Sequence, residues 1–212
     1  MEKATQPRAF YGSFFHAPAY GSFEYLERAL IEVGEDGAIE RVIAHDDPNQ
    51  ATALAKAREA GTLYELGEGR FGLPGFVDIH IHSPQWPQAA LALDEPLYRW
   101  LDERTFPLES KFADVDFAKK VYSDLVDQLL ARGSTTAVYL GSAHLEATVA
   151  LAEICAERGQ RALVESRQNK LLLAGIGIDV TDGEYSGNTR FEASSVDNNL
   201  LAFEVQPPCF DG

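Results

Sequence analysis

Positive charge, cysteine and histidine are all scarce in this chain. Lys and Arg number 18 against 33 Asp and Glu, for a formal net charge of −15. A surface this acidic argues against nucleic acid or anionic membrane as a partner, because both are bound through cationic patches. The two cysteines, Cys155 and Cys209, show no pairing pattern. That excludes a disulfide framework and fits a reducing, cytoplasmic setting. Cys155 lies in "LAEICAERG" and reads as a helical core residue rather than a nucleophile. No apolar run approaches the roughly 18 residues of a membrane span. The opening "MEKATQPRAFYGSFF" lacks the apolar centre of a signal peptide.

What is present suits a globular protein. The chain has 212 residues, 45% of them hydrophobic, enough for one domain or for one with a small appended part. The first seventy residues read as strands and turns. "ALIEVGEDGAIERVIA" predicts a hairpin about Gly34–Gly37. "NQATALAKAREAG" predicts a short helix stopped by Gly61, and "TLYEL" a further strand.

From Gly75 the rhythm becomes strand, helix, strand, helix, strand. "GFVDIHIH" opens it. "DVDFAKKVYSDLVDQLLARG" predicts a helix with Asp114 as N-cap, Gly133 after its end and a buried stripe of Phe117, Val121, Leu125 and Leu129. "STTAVYLG" is a second strand. "HLEATVALAEICAERG" is a second helix, with Leu145, Val149 and Ala152 on one side. "RALV" is a third strand. Such alternation predicts parallel strands of an α/β sheet or barrel. After Val164 no helical stripe persists; "KLLLAGIGIDV" suits a strand or a short helix.

Two of only five histidines, His80 and His82, fall one residue apart in the first of these strands. Side chains alternate along a strand, so the expectation is Asp78, His80 and His82 on one face and Val77, Ile79 and Ile81 on the other, against helices. Residues i and i+2 are about 7 Å apart at Cα, close enough for two imidazoles to share one ion. Two readings stand: hydrogen-bonded core histidines, or metal ligands at the C-terminal strand end, where parallel α/β folds place their chemistry. Asp78 reads as a group that orients a ligand rather than as a ligand. Pro84 and Pro87 require the chain to leave the strand and loop over that end.

"LPGFVDIHIH" also resembles the PGxxDxHxH signature of the amidohydrolase superfamily. "HIHSPQWPQ", "LYRWLDERTFPLESKFADVDFAKKVYSDLV", "RGSTTAVYLGSAH" and "GQRALV" are similar to the guanine deaminase family within it. The resemblance runs from roughly Ala9 to Val164 and is strongest from Leu73. It implies a (β/α)₈ barrel of TIM type with a small β-sandwich built partly from the N-terminal segment, and hydrolysis of guanine to xanthine and ammonia. It implies zinc as cofactor, with His80 and His82 as the first two ligands. Gln85 would contact the guanine ring, and His82, Ser83, Pro84 and Gln85 would form a wall of the purine pocket. His144, at the end of the second strand, is expected to be structural.

The resemblance also implies parts that are not found in this sequence. The remaining ligands, an acid/base glutamate and a purine-binding arginine belong beyond the third strand, where "ESRQNKLLL" departs from the family. Asp179, Asp182 and Glu184 are the nearest acidic candidates, and each reads as a solvated loop residue. A barrel takes about 250 residues, more than follow Gly75. The expected organisation is therefore a β-rich segment over 1–73, the first βα units of a partial barrel over 74–164, and an irregular tail over 165–212. The expected activity is that of a truncated guanine deaminase, inactive alone. The alternatives are a non-catalytic fragment or partner of a full-length copy, and a relative acting on another cyclic amide or aminopurine. A homo-oligomer is compatible with either.

Overall fold

The computed structural model describes residues 8–165 without a break, and beyond them the backbone of three strands at 170–174, 182–184 and 203–204. The chain divides into two compact units, residues 1–75 with 193–212, and residues 76–192.

The first unit is built on an antiparallel meander of β1 (Ala9–His16), β2 (Glu24–Val33) and β3 (Ile39–Ile43). The expected turn joins β2 to β3, with Gly37 at φ 82°, a value that suits a residue without Cβ. Helix α1 (Gln50–Glu59) follows and ends before Gly61, as its composition predicts. Ala53 and Ala57 of α1 pack on Ala9, Leu30 and Ile43. The Gln50 amide, buried at the helix start, donates to the carbonyls of Arg28 and Ala44 and satisfies backbone that the sheet leaves open. β4 (Leu63–Glu65) and β5 (Gly72–Leu73) both run parallel to β1. The two-residue strand Phe203–Glu204 pairs with β5.

The second unit holds β6 (Phe76–His82), β7 (Ser134–Leu140) and β8 (Arg161–Glu165), all parallel, in the order β6–β7–β8. Between β6 and β7 the chain forms a 3₁₀ turn over Ser83–Gln88. A helical run follows: α2 (Leu97–Trp100), a π-helical turn (Leu101–Thr105), α3 (Phe106–Glu109) and a 3₁₀ turn (Ser110–Ala113). Helix α4 (Val115–Ala131) comes next. Helix α5 (Leu145–Arg158) joins β7 to β8. The Asp114 carboxylate accepts from the Asp116 and Phe117 amides, and Gly133 takes φ 86°, so both predicted ends of α4 stand.

Two expectations need correction here. Of the predicted stripe of α4 only Leu125 is buried, together with Ala118, Tyr122 and Val126; Phe117, Val121 and Leu129 are partly buried against the same core. Helix α5 is buried on more than one side, through Ala147, Leu151, Ala152, Ile154 and Cys155, because it lies between α4 and the sheet. β9 (Lys170–Ala174) runs antiparallel to β8, and β10 (Asp182–Glu184) antiparallel to β9. A barrel requires a parallel strand after β8. Only four residues separate Glu165 from Lys170, too few for a crossover of about ten or more. Among the described residues the barrel-like part is thus three parallel strands with α4 and α5.

Cys155 is fully buried, as its setting predicted. Burial pushes its thiol up to about 12, beside Tyr139 and Gln160. Among the described residues no helix is long and apolar enough to cross a membrane.

Candidate functional site

Among the described residues the histidine strand is an edge strand, and it has a fault in its register. Asp78 lies level with Ala137 of β7, but Ile81, three residues on, lies level with Tyr139, two residues on. β6 therefore carries one extra residue between them. Paired neighbours share a sheet face, so Asp78 and Ile81 both lie on the side of Ala137 and Tyr139, under the helices. The predicted grouping of Asp78 with both histidines does not hold. Val77 and Ile79, expected against helices, are 62% and 73% exposed, and only Ile81 packs on the core. Asp78 instead accepts from the His80 backbone amide at 3.1 Å, which pins the bulge.

The two imidazoles do converge. Nε2 of His80 and Nε2 of His82 are 3.1 Å apart. Two nitrogens on one tetrahedral zinc, each at 2.0–2.1 Å, would be about 3.3 Å apart. The pair thus fits half of a zinc ligand set. No group of three His, Cys, Asp or Glu is gathered about a point among the described residues. Asp179 and the side chains of Asp182 and Glu184 lie outside those residues.

His82 also borders a cavity of about 140 Å³, lined by Pro84, Gln85, Glu109, Leu140, Gly141 and Glu165. A single water needs only about 10–15 Å³ of such space, so a small solute can enter. Three of the four residues predicted as the pocket wall, His82, Pro84 and Gln85, come together here. Ser83 does not line the space. It is fully buried, and its hydroxyl donates to the Leu140 carbonyl at 3.1 Å, tying the turn to the end of β7. The Tyr122 hydroxyl lies near Ser83 and Ser142 without a well-formed hydrogen bond, and burial pushes it up to about 12.

Sequence reasoning missed the rest of the lining. Leu140, Gly141 and Glu165 stand at or just past the C-terminal ends of β7 and β8. That position was the available signal, since parallel folds place chemistry there. Glu109 had no such signal. It comes from α3, is 8% exposed, and accepts from the Ala143 backbone amide at 3.1 Å. The Gly141 amide donates to the Glu165 carbonyl at 2.8 Å, which closes the two strand ends together. His144 begins α5, where its carbonyl accepts from the Thr148 amide. His16 pairs with Glu24 within the first unit.

Residues 71–193 match the amidohydrolase family. The chain belongs to that family. This amidohydrolase is 39% identical over 165 residues to the guanine deaminase of Dictyostelium discoideum, a match covering 74% of this chain and 36% of that protein. Among solved structures it is similar to the guanine deaminase of C. acetobutylicum with guanine bound in its active site, at 26% identity and a TM-score of 0.62, covering 73% of this chain and 35% of the other. A zinc-bound adenosine deaminase from Xanthomonas campestris shares the fold at 20% identity and a TM-score of 0.55, covering 76% and 34%. The chain spans about a third of the length of these relatives. The barrel-type fold expected from the sequence is thus that of its neighbours, and the described residues of this chain include three parallel strands of that type.

Proposed function

We propose that this chain carries the purine-facing first part of a zinc-dependent guanine deaminase site, for the reaction of guanine and water to xanthine and ammonia. The observation that carries the reading is that His82 and Gln85 face one cavity while His80 and His82 converge at their Nε2 atoms. The similarity to guanine deaminases supports the choice of guanine.

Each residue then has a defined task. His80 and His82 would hold zinc through Nε2. Bound there, zinc would supply the Lewis acidity that activates a water toward the ring carbon bearing the amine. Gln85 would read the purine edge, since its amide both donates and accepts. Pro84 and Leu140 offer apolar surface to the ring. Glu109 and Glu165 border the cavity and offer oxygen acceptors, which favours a substrate presenting N–H groups. The setting consistent with the chain's composition is the cytoplasm, with a small purine as the partner and self-association open to test.

The chain by itself is proposed to be inactive, because two imidazoles fall short of the roughly three protein ligands a catalytic zinc uses. The test is a guanine-to-xanthine assay on the purified 212-residue chain with added zinc, beside metal analysis. Zinc bound through the histidines, without xanthine, is the expected result. Xanthine production would show that the tail supplies the missing groups. Zinc content that does not depend on the histidines would remove the reading.

A further inference from the structure

The turn that presents Gln85 is fixed by side chains as well as by its own backbone. Ser83–Gln88 is a 3₁₀ turn with prolines at 84 and 87. Each proline removes an N–H donor, and 3₁₀ hydrogen bonds have strained geometry in any case. Side chains of the turn add anchors to those bonds. Ser83 Oγ donates to the Leu140 carbonyl at 3.1 Å. Trp86 Nε1 donates to Asp124 Oδ2 at 2.7 Å. Gln88 Nε2 donates to Thr105 Oγ1 at 2.7 Å, with both residues buried. These anchors reach β7, α4 and the π-helical turn, and they bracket Gln85 on both sides.

The middle anchor is the informative one. Trp86 directly follows Gln85, so the direction of its ring constrains the backbone from which Gln85 projects. The ring packs against the main core cluster, and its only polar atom is bound to a carboxylate. Such charge-assisted bonds are short and stronger than neutral ones. Asp124 is a rigid base, since its helical neighbours Tyr122, Leu125 and Val126 are locked in the core. Simple packing of the turn does not require this bond, because Asp124 lies at the exposed surface of α4.

We infer that Trp86 and Asp124 are positioning residues that hold Gln85 toward the cavity, so that its amide meets a purine edge already oriented. This rests on the proposed role of Gln85. The benefit would be preorganisation: an untethered glutamine must give up rotamer freedom on binding, and a tethered turn has given up most of it beforehand.

The experiment uses the ¹⁵N-labelled 212-residue chain and two readouts. Without ligand, the hydrogen exchange and relaxation of the Gln85 side-chain amide report how firmly it is held. With guanine, equilibrium dialysis reports affinity. Trp86→Phe and Asp124→Ala should each loosen Gln85 and weaken guanine binding by about tenfold. Asp124→Asn keeps an acceptor and should restore most of both. The double variant Trp86→Phe/Asp124→Ala should be no worse than either single variant. If Trp86→Phe disturbs the core, the surface variant Asp124→Ala still decides. Unchanged Gln85 exchange in Asp124→Ala, or additive losses in the double variant, would overturn the inference. Failure of the parent chain to bind guanine would instead count against the proposed function, and the ligand-free exchange would still judge the tether.

Discussion

Nε2 of His80 and Nε2 of His82 stand 3.1 Å apart on the sheet face that also carries Leu140. Two imidazole nitrogens this close share either a proton or an ion. Replacing either histidine by alanine should therefore remove more zinc affinity than the roughly 10–100-fold lost with an outer-shell partner. Equilibrium dialysis against buffered zinc checks this. Equal zinc content in the double alanine variant would place the ion elsewhere.

Gln85→Ala should weaken guanine binding by about 1–3 kcal/mol, the usual result of leaving a buried polar partner unpaired. In a form of the protein that turns over, the same loss should appear in kcat/KM. Undiminished affinity would exclude Gln85 from purine recognition.

Gly141→Ala is expected to destabilise the second unit. An added Cβ would lie 2.7 Å from the Glu165 carbonyl oxygen and 2.9 Å from Thr148 Oγ1. That carbonyl is itself bound to the Gly141 amide, so it cannot yield cheaply. Overpacking of this kind costs about 1–3 kcal/mol, or roughly 2–4 °C in Tm for each kcal/mol. An unchanged Tm by differential scanning calorimetry would show that the strand ends are not closed as described.

Alkaline pH should destabilise the fold. Burial raises Cys155 and Tyr122 to about 12 and pushes Tyr139 higher still. The unfolded chain ionises these groups first, the thiol near 8.5 and the phenols near 10. The stabilisation from keeping them neutral is thus fully present below about pH 8.5 and is lost progressively as pH rises toward 12. Urea midpoints should fall over that range. In a Cys209→Ser background, Cys155 should stay silent to a thiol reagent at pH 8 until denaturant is added. Rapid native-state labelling would contradict the burial argument.

Local signals were read correctly where a residue's chemistry acts on its neighbours. Asp114 caps α4, Gly133 and Gly61 lie just beyond helix ends, and the Gly34–Gly37 turn joins two strands. Signals that depend on the third dimension were misread. On α4 the burial centres on Ala118, Tyr122, Leu125 and Val126, with only Leu125 from the predicted stripe, because packing against α5 and β7 decides which side of a helix is covered, not period alone.

The sequence by itself determined the strand that carries His80 and His82, the exit at Pro84 and the helices on either side of β7, because propensity, capping and period are local properties. Tertiary structure decided which side chains meet. The extra residue in β6 turns Asp78 to the helix side, since register is set by pairing with β7. Glu109 and Glu165 reach the cavity of His82 from 27 and 83 residues away in sequence, and Trp86 finds Asp124 across 38 residues. Such contacts exist only once the sheet and helices have packed, so no local pattern could contain them.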